Sequence, residues 1–179
     1  MRRIGIISDT HGWLDQQVLQ HFKNCDEIWH AGDFGNIRIA EELVSVLSFD
    51  GSAKLPDDRI KGVYGNIDGQ DIRSIFPEKL HFRCEDVNVF MTHIGGHPAR
   101  YAPGIKNEII QSKPNLFISG HSHILKVMYD DKLSCLHINP GAAGRQGWHV
   151  MRTIVRLVID GSNMKDCEVI ELGRRSSTN

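Results

Sequence analysis

Apolar and polar positions along the chain fall into blocks whose period changes several times. Residues Arg3 to Ser8 are a short apolar run closed by polar residues, the pattern of a strand in a sheet covered on both faces. Leu14, Val18, Leu19 and Phe22 then recur at spacings of one, three and four, which lines one face of a helix. Glu27 to His30 predicts a second strand and Ile37 to Leu47 a second helix; after a polar loop from Asp50 to Asp58, Arg59 to Tyr64 predicts a third strand. Alternation of this kind belongs to an α/β protein.

Beyond Pro77 strand segments dominate. Lys79 to Cys84 and Val87 to Thr92 flank the acidic turn Glu85-Asp86 as the arms of a β-hairpin do. A helix is expected over Ile105 to Gln111, and strands over Leu116 to Ser119, Leu125 to Tyr129, Leu133 to Ile138, Thr153 to Ile159 and Asp166 to Glu171. No repeat, low-complexity tract or linker interrupts the series, so the expectation is one domain over residues 1–173 and a mobile tail over 174–179. Two stacked sheets with helices outside are the architecture these blocks predict.

Composition narrows the class without changing this picture. A chain of 179 residues can bury a sizeable core in one domain. Its 40% hydrophobic and 24% charged residues are those of a globular protein. The formal net charge of −1 gives no overall drive toward long nucleic acid or an anionic membrane. The apolar stretch Ile4 to Ile7 is too short for a signal segment or a spanning helix, so a cytoplasmic location is expected. A homo-oligomer is compatible with this composition. Cys25, Cys84, Cys135 and Cys167 are scattered singly, which argues against a zinc ribbon or a disulfide framework, and they read as small buried hydrophobes.

Histidine is the unusual component. Ten are present, and several sit beside glycines and turn signals just after predicted strands. Asp9-Thr-His11, Gly32-Asp33, Gly65-Asn66, Thr92-His93 and Gly120-His-Ser-His123 recur roughly every 25 to 35 residues, about one βαβ unit. In α/β sheets the carboxyl ends of strands line a common crevice, so residues remote in sequence converge there. Two aspartates, one asparagine and four histidines make a mixed oxygen and imidazole set, suited to Mn, Fe, Ni or Zn rather than Mg or Ca. Seven groups exceed what one ion needs and point to two divalent ions sharing a carboxylate, with Asp33 as the bridge. His121 and His123 are expected to lie in an extended segment, where alternation points both to one side. Two ions about 3.5 to 4 Å apart suit in-line displacement at phosphorus by a bridging hydroxide.

The ordered set D-x-H, G-D, G-N, H and G-H-x-H over residues 9 to 123 resembles the calcineurin-like metallophosphoesterase superfamily. With the small size and the segment Ile138-Asn-Pro-Gly141, it resembles the compact branch of YfcE-like phosphodiesterases. The resemblance implies a four-layer αββα sandwich of two mixed β-sheets flanked by helices. It implies that Asp9, His11, Asp33 and His123 hold one ion and that Asp33, Asn66, His93 and His121 hold the other. Asn66, Asp33 and His93 are then the catalytic candidates, Asn66 holding phosphoryl oxygens as charge develops.

Departures from the family pattern refine the expected chemistry. Many relatives carry a histidine after the asparagine, near the leaving group, where this chain has Ile67. Such general-acid help is typically worth about 10² to 10⁴ in rate, so phosphodiesters with stable leaving anions are favoured over alkyl monoesters. His97 is a candidate substitute, and Arg145 a candidate contact for an anionic substrate. Asn139 to Gly144, rich in small residues, would let backbone N–H groups approach a phosphate oxygen. Asp68 reads as a tie for the loop after Gly65. The remaining histidines, His21, His30, His81, His137 and His149, read as satisfied or solvated. The reading is therefore a manganese-type dinuclear phosphodiesterase acting on a small phosphoester. The alternatives are a non-catalytic protein-binding scaffold like the retromer subunit, which keeps the fold but has lost metal-ligand residues, and a phosphomonoesterase.

Overall fold

Two periodicities build the molecule, period two in the strands and a one-sided apolar stripe in the helices. The first half runs β1 (Arg2–Ile7), α1 (Gln16–Phe22), β2 (Glu27–His30), α2 (Ile37–Ser45), β3 (Ile60–Gly62), α3 (Gln70–Arg73), β4 (Lys79–Cys84) and β5 (Val87–Thr92). The second runs β6 (Gly96–His97), β7 (Arg100–Tyr101), α4 (Ile105–Ser112), β8 (Leu116–Ile118), β9 (Lys126–Asp130), β10 (Cys135–Asn139), β11 (Met151–Asp160) and β12 (Asn163–Arg174). The computed structural model describes residues 1–48 and 52–175. Asp50 and Gly51 of the expected polar loop, and residues 176–179 of the expected tail, lie outside the described residues.

One sheet has the order β12-β11-β1-β2-β3 and the other β4-β5-β8-β10-β9. Both are mixed: β1-β2-β3 and β5-β8-β10 are parallel, and antiparallel strands flank them. Alternation sorts the core into three apolar layers. Ile4, Ile6 and Trp29 join Val89, Met91, Leu116, Ile118 and Val155 between the sheets. Ile7, Ile28 and Ile154 face the other way, against Val18 and Phe22 of α1 and Ile39 and Leu43 of α2. On the far side Phe90, Phe117 and Cys135 pack under Ile105 and Ile109 of α4. Helix, sheet, sheet, helix is thus the observed layering, and each large side chain fully buried in it stabilises the fold by roughly 1.5–3 kcal/mol before entropy is counted.

Most expected elements lie within a few residues of their observed bounds, and β2, β4 and β5 match residue for residue. The helix α3 and the hairpin β6–β7 have no counterpart in the expectation. Both are too short to carry a period: α3 has four residues with only Ile72 buried, and β6 and β7 have two residues each. The cysteines are all free, but only Cys84 and Cys135 are buried, whereas Cys25 is partly covered and Cys167 is exposed.

Candidate metal centre

Every expected ligand follows a strand of one of the two parallel triplets. The loop after β1 carries Asp9 and His11, that after β2 Asp33, that after β3 Asn66, that after β5 His93, and that after β8 His121 and His123. Five of them have backbones in the left-handed region: Asp9 (φ 54°), His11 (49°), Asp33 (58°), His121 (66°) and His123 (58°). Non-glycine residues seldom occupy this region, and such strain concentrates where the surrounding fold over-determines a functional geometry. The expectation of an extended His121-Ser-His123 segment is thereby corrected. Both histidines sit on sharp bends, and each turns to a different group of ligands.

The side chains form two triads. Asp9, His11 and His123 have ligand atoms within 4.8 Å of one another, and so do Asp33, His93 and His121. His123 Nε2 is 3.1 Å from Asp9 Oδ1 and 3.3 Å from His11 Nε2. Asp33 Oδ2 lies between the triads, 3.2 Å from His93 Nε2 and 3.8 Å from His11 Nε2. Asn66 Oδ1 is 3.2 Å from His93 Nε2, which brings the asparagine to the second triad.

Atoms that do not face the centre are held by the fold. His93 Nδ1 donates to Ala31 O at 2.8 Å, which fixes the tautomer and leaves Nε2 directed at Asp33. Asp9 Oδ2 accepts from His121 N at 3.1 Å, and Asp33 Oδ1 accepts from Ile67 N at 3.1 Å. Asp9 Oδ1, by contrast, is buried with no hydrogen-bond partner. An uncompensated carboxylate oxygen facing imidazoles is costly unless a cation completes it, so this donor set fits divalent metal. Two glycines make the approach possible: a Cβ on Gly65 would overlap Asp33 Oδ1, and Gly32, at φ +96°, would place one 2.6 Å from His93 Nδ1.

Electrostatics follow the same arrangement. Burial alone would push the His93 imidazole down, but its bond to Asp33 and the Asp9 and Asp33 charges outweigh that and raise it. Burial would raise the Asp33 carboxyl, and His93, the Ile67 amide and His11 hold it below the usual range. His11 is lowered, chiefly by burial.

Behind the ligands, His30 accepts from Gly32 N at Nδ1 (3.1 Å) and so carries its proton on Nε2, 3.0 Å from Thr10 Oγ1. It stacks on Phe34 at 3.6 Å, and burial lowers it to about 3, so it is a neutral strut between the first two loops. Asp68 ties two others, accepting from Gly35 N and Gly65 N, both at 2.8 Å. The small-residue segment after β10 does not have the expected form of an anion cradle. Ala143 N donates to Ser8 O and Gly144 N to Asp9 O, so these two amides buttress the first loop instead, while Gly141 N closes a local turn on Asn139 Oδ1. Arg145 lies over the Trp13 ring at 3.9 Å.

Of the other histidines, His81 is 3.0 Å from Glu108 Oε1 and stacks on Phe90, and His21 sits in the last turn of α1. His149 meets His123 edge-on at 5.2 Å and donates to Gly144 O, a placement that no motif around it announced. His97 lines a pocket of about 620 Å³ that adjoins His121, together with Arg100, Tyr101, Lys126 and His137.

Comparison with known proteins bears on the family and the fold. The family model for the calcineurin-like phosphoesterase superfamily domain matches residues 1–162. Among solved structures, an archaeal protein described as a novel phosphodiesterase is 24% identical, with TM-score 0.68 over 95% of this chain and 99% of that one. A predicted phosphoesterase of Streptococcus pneumoniae is 19% identical, with TM-score 0.66 over 95% and 89%. Vps29 of Entamoeba histolytica, in complex with zinc, is 15% identical, with TM-score 0.69 over 94% and 98%. No curated protein matches the chain by sequence. No described helix is long and apolar enough to cross a membrane.

Proposed function

We propose, because the chain belongs to the calcineurin-like phosphoesterase superfamily, that it is a dinuclear metal-dependent phosphodiesterase of small phosphoesters. The observation that carries this reading is the pair of triads joined by Asp33, with the buried Asp9 Oδ1 left without a hydrogen-bond partner. Asp9, His11, Asp33 and His123 would hold one ion and Asp33, Asn66, His93 and His121 the other. When bound, two such ions supply Lewis-acid charge to a phosphoryl group and activate water as nucleophile. Manganese is the metal we assign first, with iron, nickel or zinc compatible with the same donors.

The chain's own groups do the remaining work. Asn66, exposed at the rim and directed by Oδ1 toward His93, is placed to donate its NH₂ to a phosphoryl oxygen as charge develops there. The Ala31 carbonyl and the Ile67 amide orient His93 and Asp33. Ile67 is 47% exposed beside Asn66 and offers no proton to a leaving group. Diesters with stable leaving anions should therefore outrun alkyl monoesters.

The test is hydrolysis of bis-p-nitrophenyl phosphate against p-nitrophenyl phosphate by chelated protein with Mn²⁺, Ni²⁺, Zn²⁺ or Mg²⁺ added back. Metal-restored diesterase activity above monoesterase activity supports the reading, and monoester preference would revise the substrate. Silence with every metal would leave a scaffold of the Vps29 kind.

A further inference from the structure

The pocket beside His121 is not accounted for by the metal centre. Part of its wall is the hairpin β6–β7, fastened by Ala102 N donating to Gly95 O at 3.0 Å and by Tyr101 Oη donating to Asp130 Oδ2 at 2.7 Å. Arg100, Lys126 and His97 line it, and no aspartate or glutamate does among the described residues. Ile94 and Ile124, 47% and 62% exposed, give it apolar walls. Because His121 also lines it, a group leaving a phosphorus held at the metal centre has this space next to it.

Deeper in the same lining, His137 is only 1% exposed. Ser119 Oγ donates to Gly96 O at 3.2 Å, so the Ser119 oxygen must accept the His137 Nε2 proton across 3.0 Å. Nδ1 is then the lone-pair nitrogen, and it is buried without a hydrogen-bond partner. Burial, with His97 and Lys126 close by, lowers this imidazole to about 3, so it is a neutral acceptor. Leaving such a buried acceptor unmet is costly, and a ligand that donates to it recovers part of that cost.

We propose that this pocket is the leaving-group subsite for an organic phosphoester whose leaving group carries a second anionic group, bound by Arg100 and Lys126, and a hydroxyl or N–H that donates to His137 Nδ1. The assignment deepens the phosphodiesterase reading and rests on it for the word leaving. Binding is what it predicts first. Calorimetric titration of the metal-loaded protein with a nucleoside 3′,5′-bisphosphate and with the matching 5′-monophosphate separates the two claims, since it needs no turnover. The bisphosphate is expected to bind about tenfold or more tightly, as two charge-assisted contacts imply. Arg100→Ala/Lys126→Ala should bring the two affinities together, and His137→Phe should weaken both ligands while keeping their ratio. Equal affinity in the wild-type protein, or a preference that survives the double substitution, overturns the subsite. Failure of the diesterase assay with the preference intact would sink the catalytic reading alone.

Discussion

The metal centre and the pocket beside it are adjacent but built on different terms. At the candidate centre five of the expected ligands stand on left-handed backbone, and second atoms of His93, Asp33 and Asp9 are tied to Ala31, Ile67 and His121. In the pocket the cationic groups come from a two-residue strand and from the start of β9. Chemistry can therefore tolerate variation in the pocket more readily than at the centre. A centre that must hold cations to fractions of an ångström needs a rigid surround. A pocket that selects among leaving groups is altered by exchanging side chains on a short hairpin without disturbing a ligand.

The largest effect should come from breaking the feature that only the centre has. Asp33→Ala removes the oxygen that lies between the triads, and turnover of bis-p-nitrophenyl phosphate should fall by about 10³-fold or more. Metal analysis of the same variant should show less than the wild-type content. Full activity with full metal content in Asp33→Ala would end the dinuclear reading. Gly65→Ala is a milder assault on the same place, since its methyl overlaps Asp33 Oδ1 and the Asp33 amide nitrogen. Such overpacking costs about 1–3 kcal/mol, and thermal unfolding together with metal content measures whether the loop or the ligand yields.

The same contrast explains what could be read from the chain alone. The placement of candidate ligands such as Asp33 and Asn66 was legible because strand ends in parallel sheets fix where a glycine-flanked polar residue must go. The sandwich was legible because Ile4, Ile6 and Ile7, or Val89 and Phe90, alternate between two apolar layers. The bends at His121 and His123 were not, because a His-x-His spacing is compatible with an extended segment and with two left-handed turns alike. Nor was the use of the Ala143 and Gly144 amides, which depends on the first loop lying against them. Arg100, Lys126 and His137 carry no motif; the pairing of β9 with β10 brings the last two together, and the packing of the hairpin adds Arg100 to the same pocket.

Two buried histidines reduce the comparison to a single hydrogen bond and give the smaller effects. His30 and His137 are each at most 1% exposed and each lowered by burial to about 3. His30 is bonded at both nitrogens, whereas His137 Nδ1 is not. His30→Phe would strand the Gly32 amide and should cost about 1–3 kcal/mol in denaturant unfolding. His137→Phe loses the bond to Ser119 but also removes the unmet acceptor, so at pH 7 its stability should stay within about 1 kcal/mol of wild type. The difference should then move in the variant's favour with acid. A base whose folded pKa is about 3 and whose unfolded value is about 6.5 lets the unfolded chain bind the proton first. Its stability is intact above about pH 6.5 and is lost progressively down to about pH 3. At pH 5 the wild-type chain should have lost about 2 kcal/mol through His137 that His137→Phe keeps, so urea midpoints of the two proteins measured at pH 7 and pH 5 should move apart in the variant's favour. Parallel midpoints at both values would show that the folded protein protonates His137 as readily as the unfolded chain does, and would remove the ground for treating Nδ1 as a neutral acceptor for a ligand.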